Sequence, residues 1–165
     1  MGKIKFASFS EAGVRRDNED YCKVVTDPGN DRYLLVVCDG MGGHAMGEVA
    51  SYVVCKTVCD YWQQASFVDG VESVLKASCG EASKALDAKA DVLNHVEMGT
   101  TMVLAAICGN QVFLCTDGVW QYVAPYILTD RMMDDKTPEE IANVLSFLAE
   151  RSSQDNFTGI VVFYE

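Results

Sequence analysis

The sequence predicts an α+β domain, and three observations carry that prediction. Short apolar runs bounded by Gly, Asp and Asn recur towards both ends of the chain, as strands do. Amphipathic stretches with three- and four-residue spacing fill the middle and return before the C-terminus, as helices do. Between these patterns lies Val36-Val37-Cys38-Asp39-Gly40-Met41-Gly42-Gly43-His44-Ala45-Met46-Gly47, where an apolar strand stops at a turn signal and glycines lead into a helix.

Taken in order, residues 3–8 predict a first strand, followed by a polar turn segment over 10–20. Residues 21–25 predict a second strand, and Asp27-Pro28-Gly29-Asn30-Asp31 a hairpin-type loop. The run 33–38 then pairs back, which sets Glu19, Asp20 and Asp39 near one another. Its unbroken apolar character is that of a strand covered on both faces. From Ala45 a helix is expected, with Val49, Tyr52, Val53 and Tyr61 at helical spacing and Tyr61-Trp62 closing it. A second helix runs over about 68–86, with Val71, Leu75, Cys79, Ala82 and Leu86 on one face, and the Ala-rich 84–92 can extend it. Strands follow at 102–108 and 112–115, with Gly109-Asn110 as a turn. Thr137-Pro138-Glu139-Glu140 is a helix start: Thr as N-cap, Pro in the first turn and Glu closing a capping box. Ile141, Val144, Leu145 and Leu148 supply that helix's buried face, and 159–164 is the closing strand.

At 165 residues with 49% hydrophobic and 22% charged residues, the chain reads as one domain over 1–165, long enough to bury a core. A net charge of −11 argues against nucleic acid and anionic membrane surfaces as partners. Seven cysteines without a Cys-x-x-Cys pair, and only two histidines, argue against a zinc cage. Cys38, Cys108 and Cys115 sit in apolar runs and read as small buried hydrophobes. An odd cysteine count without a secretory leader predicts a cytoplasmic location. No apolar run approaches membrane-spanning length.

The chemistry lies in acids at strand ends. Asp39-Gly40 alone is equally compatible with a capping turn and with a ligand position. The pattern recurs at Asp117-Gly118 after an apolar strand, beside Arg15-Arg16-Asp17-Asn18-Glu19-Asp20 upstream and Gln154-Asp155-Asn156 before the last strand. Carboxylates of this kind suit Mg²⁺ or Mn²⁺, which take oxygen ligands and offset their mutual repulsion. An Arg among them supplies a bidentate fork for phosphate. From the residues alone, Arg15 and Arg16 are equally readable as solvated or paired with Asp17.

These blocks resemble those of the bacterial form of the type-2C metal-dependent Ser/Thr protein phosphatases. The matching stretches are Gly13-x-Arg15-x-x-Asn18-Glu19-Asp20, Asp39-Gly40-Met41-Gly42-Gly43-His44-x-x-Gly47-Glu48, Met98-Gly99-Thr100-Thr101, Cys115-Thr116-Asp117-Gly118-Val119-Trp120 and Gln154-Asp155-Asn156. They stand in the family's order over nearly the whole chain. The resemblance implies an α-β-β-α layered sandwich of two antiparallel β-sheets flanked by helices, with metals at one end. It implies two Mn²⁺ or Mg²⁺ ions, Asp39 bridging both, Gly40 (through its carbonyl) and Glu19 completing one site, Asp117 and Asp155 holding the other, and Asp20 reached through water. Ions roughly 3.5–4 Å apart lower the pKa of a shared water, which attacks phosphorus in line. Arg15 would anchor the phosphate, with Arg16 a bystander.

His44 is the candidate general acid for the leaving alkoxide, and equally a turn residue that hydrogen-bonds locally. His95 lacks such a context and reads as structural. The implied activity is hydrolysis of phosphoserine and phosphothreonine in proteins, opposing a Ser/Thr kinase, by a monomer. The chain departs from the family in two places. Relatives carry further strands, a flap and a Gly-Asp-Ser-Arg motif between the positions here numbered 111 and 112. Gln121 stands where many carry Asp. The alternative reading is therefore a catalytically impaired phosphatase-like domain that binds metal or a phosphorylated partner.

Overall fold

The computed structural model describes residues 4–27, 32–41, 46–68, 71–106, 111–115 and 136–164. Its elements are β1 (Ile4–Glu11), β2 (Asp20–Asp27), β3 (Arg32–Gly40), α1 (Gly47–Gln64), α2 (Val71–Val92), β4 (Thr100–Ala106), β5 (Gln111–Cys115), α3 (Pro138–Ser152) and β6 (Phe157–Tyr164). The strands form two antiparallel three-stranded sheets, ordered β1-β6-β5 and β2-β3-β4. β1 packs against β2, and β6 against β2 and β3; α1 covers β2, β3 and β4, with α2 on α1, while α3 covers β1 and β6. This is the layered α+β sandwich that the sequence predicts.

The two faces of β3 explain why its sequence is apolar without a break from Tyr33 to Cys38. Leu34, Val36 and Cys38 face the helices, packing with Val54, Cys55, Val58, Cys59 and Trp62 of α1 and with Val74 and Ala82 of α2. The alternate residues Leu35 and Val37 face the other sheet and meet Ile160 and Val162 of β6. A period of two thus feeds two cores from one strand. β6 repeats the device, since Val161 turns outward to Ile141, Ala142 and Leu145 of α3. Full burial of such a side chain stabilises by roughly 1.5–3 kcal/mol.

Most element bounds shift by a few residues, because hydrogen-bond ladders continue past the last apolar side chain. β1 runs on to Glu11 and β6 begins at Phe157, since those two residues pair with each other. β4 begins at Thr100, opposite Gly40. β5 runs without a break through positions 111 and 112, in register with Phe163 and Val162.

The expected face of α1 needs correction. Its buried stripe is Ala50, Ser51, Val54, Cys55, Val58, Cys59 and Trp62, whereas Tyr52 is 45% exposed. The helix is apolar on more than one side, so spacing alone admitted a frame rotated by about one residue. Contact with both a sheet and α2 selects the true one. In α2 the stripe likewise centres on Val74, Ser78 and Ala82. The α3 start is as predicted: Thr137 Oγ1 accepts from Glu140 N at 3.2 Å, and Glu140 Oε2 accepts from Thr137 N at 2.8 Å. His95 closes α2, its amide donating to Ala90 O and its ring paired with Asp91. Cys38 is fully buried; Cys108, Gly109, Asn110 and the side chain of Cys115 lie outside the described residues. No helix among the described residues is long and apolar enough to cross a membrane.

Candidate active site

The site is assembled where β2 and β4 begin and β3 ends, next to the start of α1. Antiparallel register sets Asp20, the first residue of β2, directly opposite Asp39, and Asp39 opposite Thr101. Asp20 is 6% exposed. Gly40 N donates to the Glu19 carbonyl at 3.0 Å, and Met41 N donates to the Gly99 carbonyl at 3.0 Å. Thr100 Oγ1 donates to the Asp39 carbonyl at 2.7 Å. Three sequence blocks are therefore stitched together at one sheet end by backbone bonds.

The glycines are there for space. A Cβ on Gly40 would stand 2.5 Å from the carbonyl carbon and oxygen of Gly47, and one on Gly47 would stand 2.9 Å from Glu19 Oε1. The Glu19 carboxylate thus lies against the first residue of α1, where a helix N-terminus favours negative charge. Met46, the residue before α1, is left-handed with φ 68° and offers no side-chain cap.

The second half comes from the other sheet. Arg15 Nη2 donates to Asp155 Oδ2 at 3.0 Å and Arg15 Nε donates to the Gln154 carbonyl at 3.1 Å. Arg15 is therefore neither merely solvated nor paired with Asp17. Arg16, 95% exposed, is the residue near Asp17, at 3.9 Å. Asp155 Oδ1 accepts from Asn156 N at 2.8 Å, which fixes the carboxylate's second oxygen. Gly13 sits at φ +61°, and a Cβ there would meet the Asp155 carbonyl at 2.8 Å.

Of the predicted residues, the structure describes Arg15, Glu19, Asp20, Asp39, Gly40 and Asp155; Asp117, His44 and Gln121 lie outside the described residues. Among the described residues, no three carboxylate, imidazole or thiol side chains converge as a ready metal cage. The donor set nevertheless suits a hard cation: carboxylates and carbonyls only, with two aspartates facing each other at a strand end. Cys22, two residues beyond Asp20, is pushed up to about 11, first by burial and then by the Asp20 charge. A thiol raised in this way holds little thiolate, the nucleophilic form, at neutral pH. Sequence reasoning gave no role to Asn156, which is buried and reaches across to the 12–19 loop. Its burial leaves no local mark in the sequence.

The profile of a family described as protein phosphatase 2C matches residues 12–161. The serine/threonine phosphatase stp of Listeria monocytogenes is 30% identical over 109 residues, covering 64% of this chain and 43% of that protein. Serine/threonine protein phosphatase PstP of Mycobacterium tuberculosis is 32% identical over 113 residues, covering 67% of this chain and 21% of that protein. The chain thus spans less than half the length of these curated relatives. Among solved structures, the catalytic domain of PstP in complex with two manganese ions superposes with a TM-score of 0.80 at 22% identity, covering 98% of each chain. The serine/threonine phosphatase Stp1 of Staphylococcus aureus gives 0.83 at 21% identity, covering 100% of this chain and 96% of that one.

Proposed function

The chain belongs to the protein phosphatase 2C family, and from that premise we propose that it is a Mn²⁺- or Mg²⁺-dependent phosphoserine/phosphothreonine protein phosphatase. The observation that carries the reading is the juxtaposition of Asp20 with Asp39 at the sheet end, with Glu19 tied to Gly40 beside them. On this reading residues 1–165 act as one phosphatase-like unit. Glu19, Asp39, the Gly40 carbonyl, Asp117 and Asp155 would hold two ions, with Asp20 behind water. When bound, such ions lower the pKa of a shared water and offset charge on phosphate oxygens. Arg15, its Nε and Nη2 aligned by Gln154 and Asp155, presents the guanidinium edge that orients a phosphate. His44 would return a proton to the departing Ser or Thr oxygen. The substrates would be cytoplasmic proteins phosphorylated by a Ser/Thr kinase, and the enzyme a monomer.

A second reading, a phosphatase-like domain that binds metal or a phosphoprotein without fast turnover, is favoured by Gln121 and by the 43% coverage of the Listeria relative. Hydrolysis of p-nitrophenyl phosphate with about 2 mM Mn²⁺, in excess over the affinity of weak hard-cation sites, separates the two. An EDTA control and an Asp39→Asn variant complete the experiment. Turnover lost in both supports the phosphatase. Absence of turnover, with Mn²⁺ binding retained by calorimetry, replaces it with the binding domain.

A further inference from the structure

We propose that Asn156, just before β6, is the positioning residue that sets Arg15 and Glu19 in place. Its side chain uses its whole fork. Nδ2 donates to the Ala12 carbonyl at 2.9 Å and to the Asp17 carbonyl at 3.0 Å, while Oδ1 accepts from Glu19 N at 2.9 Å. Ala12 and Asp17 bracket the turn that carries Arg15, and within that turn Arg15 N donates to the Ala12 carbonyl at 3.2 Å. One amide thus holds both ends of the Arg15 turn and the backbone of Glu19. The residue is 6% exposed, so each of these polar groups would be costly to leave unmade.

The anchor is stiff because Asn156 immediately precedes β6, whose first residue, Phe157, is 1% exposed and pairs with Glu11. Its neighbour Asp155 is the partner of Arg15, so one dipeptide fixes the arginine from two directions. A parallel link serves Asp20. Its amide donates to Asn18 Oδ1 at 3.0 Å, while Asn18 Nδ2 donates to Ser10 Oγ at 2.9 Å, and Thr158 of β6 reaches the same hydroxyl. Only an asparagine meets the requirement at 156. Aspartate keeps the acceptor but turns a carboxylate on two carbonyls, and alanine removes all three bonds.

The link to Mn²⁺ rests on the phosphatase reading above; the link to the 12–19 loop does not. The test is hydrogen exchange of the metal-free protein, joined to Mn²⁺ calorimetry, for wild type, Asn156→Asp and Asn156→Ala. In the wild type the Glu19 amide, which precedes β2, is protected; a freely exchanging Glu19 amide overturns the proposal without any variant. In the variants, exchange at Glu19 rises at least about 10-fold while the Val36 amide in the core of β3 is unchanged, and Mn²⁺ affinity falls about 10- to 100-fold, as for lost partners of metal-ligand residues. Equal acceleration at Glu19 and Val36 would mean general destabilisation and overturns it. So does unchanged Mn²⁺ affinity in a variant whose Glu19 amide has been freed. A wild type that binds no Mn²⁺ sinks the metal reading instead, and the exchange rates then decide the role of Asn156 alone.

Discussion

Gly40 and Gly47 meet backbone to backbone: a methyl group on Gly40 would lie 2.5 Å from the Gly47 carbonyl and 2.7 Å from that of Glu19. The last residue of β3 and the first of α1 are thereby locked at the spot where Gly40 N bonds the Glu19 carbonyl, next to Asp39. Neither neighbour is a flexible side-chain tip that can swing aside. Gly40→Ala should therefore cost about 1–3 kcal/mol of stability, the usual penalty of overpacking. It should weaken Mn²⁺ binding as well. Urea denaturation and calorimetry check both; unchanged stability would show that α1 can shift freely.

Arg15 offers the opposite combination. Its pair with Asp155 is half-exposed, at 55% and 39%, so the pair contributes less than about 1 kcal/mol to folding. Arg15→Ala should leave the melting temperature nearly unchanged while lowering kcat/KM on a phosphopeptide by about 100-fold, the scale of losing one charge-stabilising donor. Arg15→Lys should recover little, because a point charge cannot reproduce the two-pronged contact with Gln154 and Asp155. Full activity in Arg15→Ala would remove this residue from phosphate binding.

The capping box of α3 predicts a pH dependence. Bonds from the Thr137 backbone and hydroxyl hold the Glu140 carboxyl below its ordinary value of 4.5. A depressed folded pKa means that the ionised form stabilises the native state. That contribution is complete above the unfolded value and is lost as pH falls through the folded one. Wild type should melt above Glu140→Gln at pH 7, and the difference should shrink towards pH 3. Thr137→Ala should cost about 1 kcal/mol. A pH-independent gap between wild type and Glu140→Gln would contradict the reading.

Three buried thiols and the half-buried Cys22 should be inert. Cys38 of β3 and Cys55 and Cys59 of α1 lie in one core cluster. The Cys55 and Cys59 thiols are pushed up, Cys55 chiefly by its contact with Cys38 and Cys59 chiefly by its contact with Cys55, with burial adding to both. Cys22 is pushed up to about 11. N-ethylmaleimide at pH 7.5 should leave these four unlabelled in the native protein and label them all in urea, as read by peptide mass mapping. Rapid native labelling of Cys22 would show that the β2 end opens to solvent.

The sequence by itself determined whatever is written locally. The unbroken apolar run of β3, the capping box at Thr137–Glu140 and the acids at strand ends each follow from residue type and spacing over a few positions, and the order of the motif blocks carried the family. Tertiary structure alone decided which side of α1 is inside, since a helix apolar on several faces has no preferred frame until a sheet and a second helix close on it. It alone decided that Arg15 turns to Asp155, 140 residues away, and not to Asp17 beside it. It alone gave Asn156 a task. Such contacts depend on β1 and β6 lying side by side, and strand pairing is a long-range property: the ladder that joins Glu11 to Phe157 has no signature in either segment. The candidate acids were legible as a pattern because the described ones, Glu19, Asp20, Asp39 and Asp155, stand at or next to the ends of strands. The scaffold that holds those acids was not, because one buried amide serves three distant backbone groups at once.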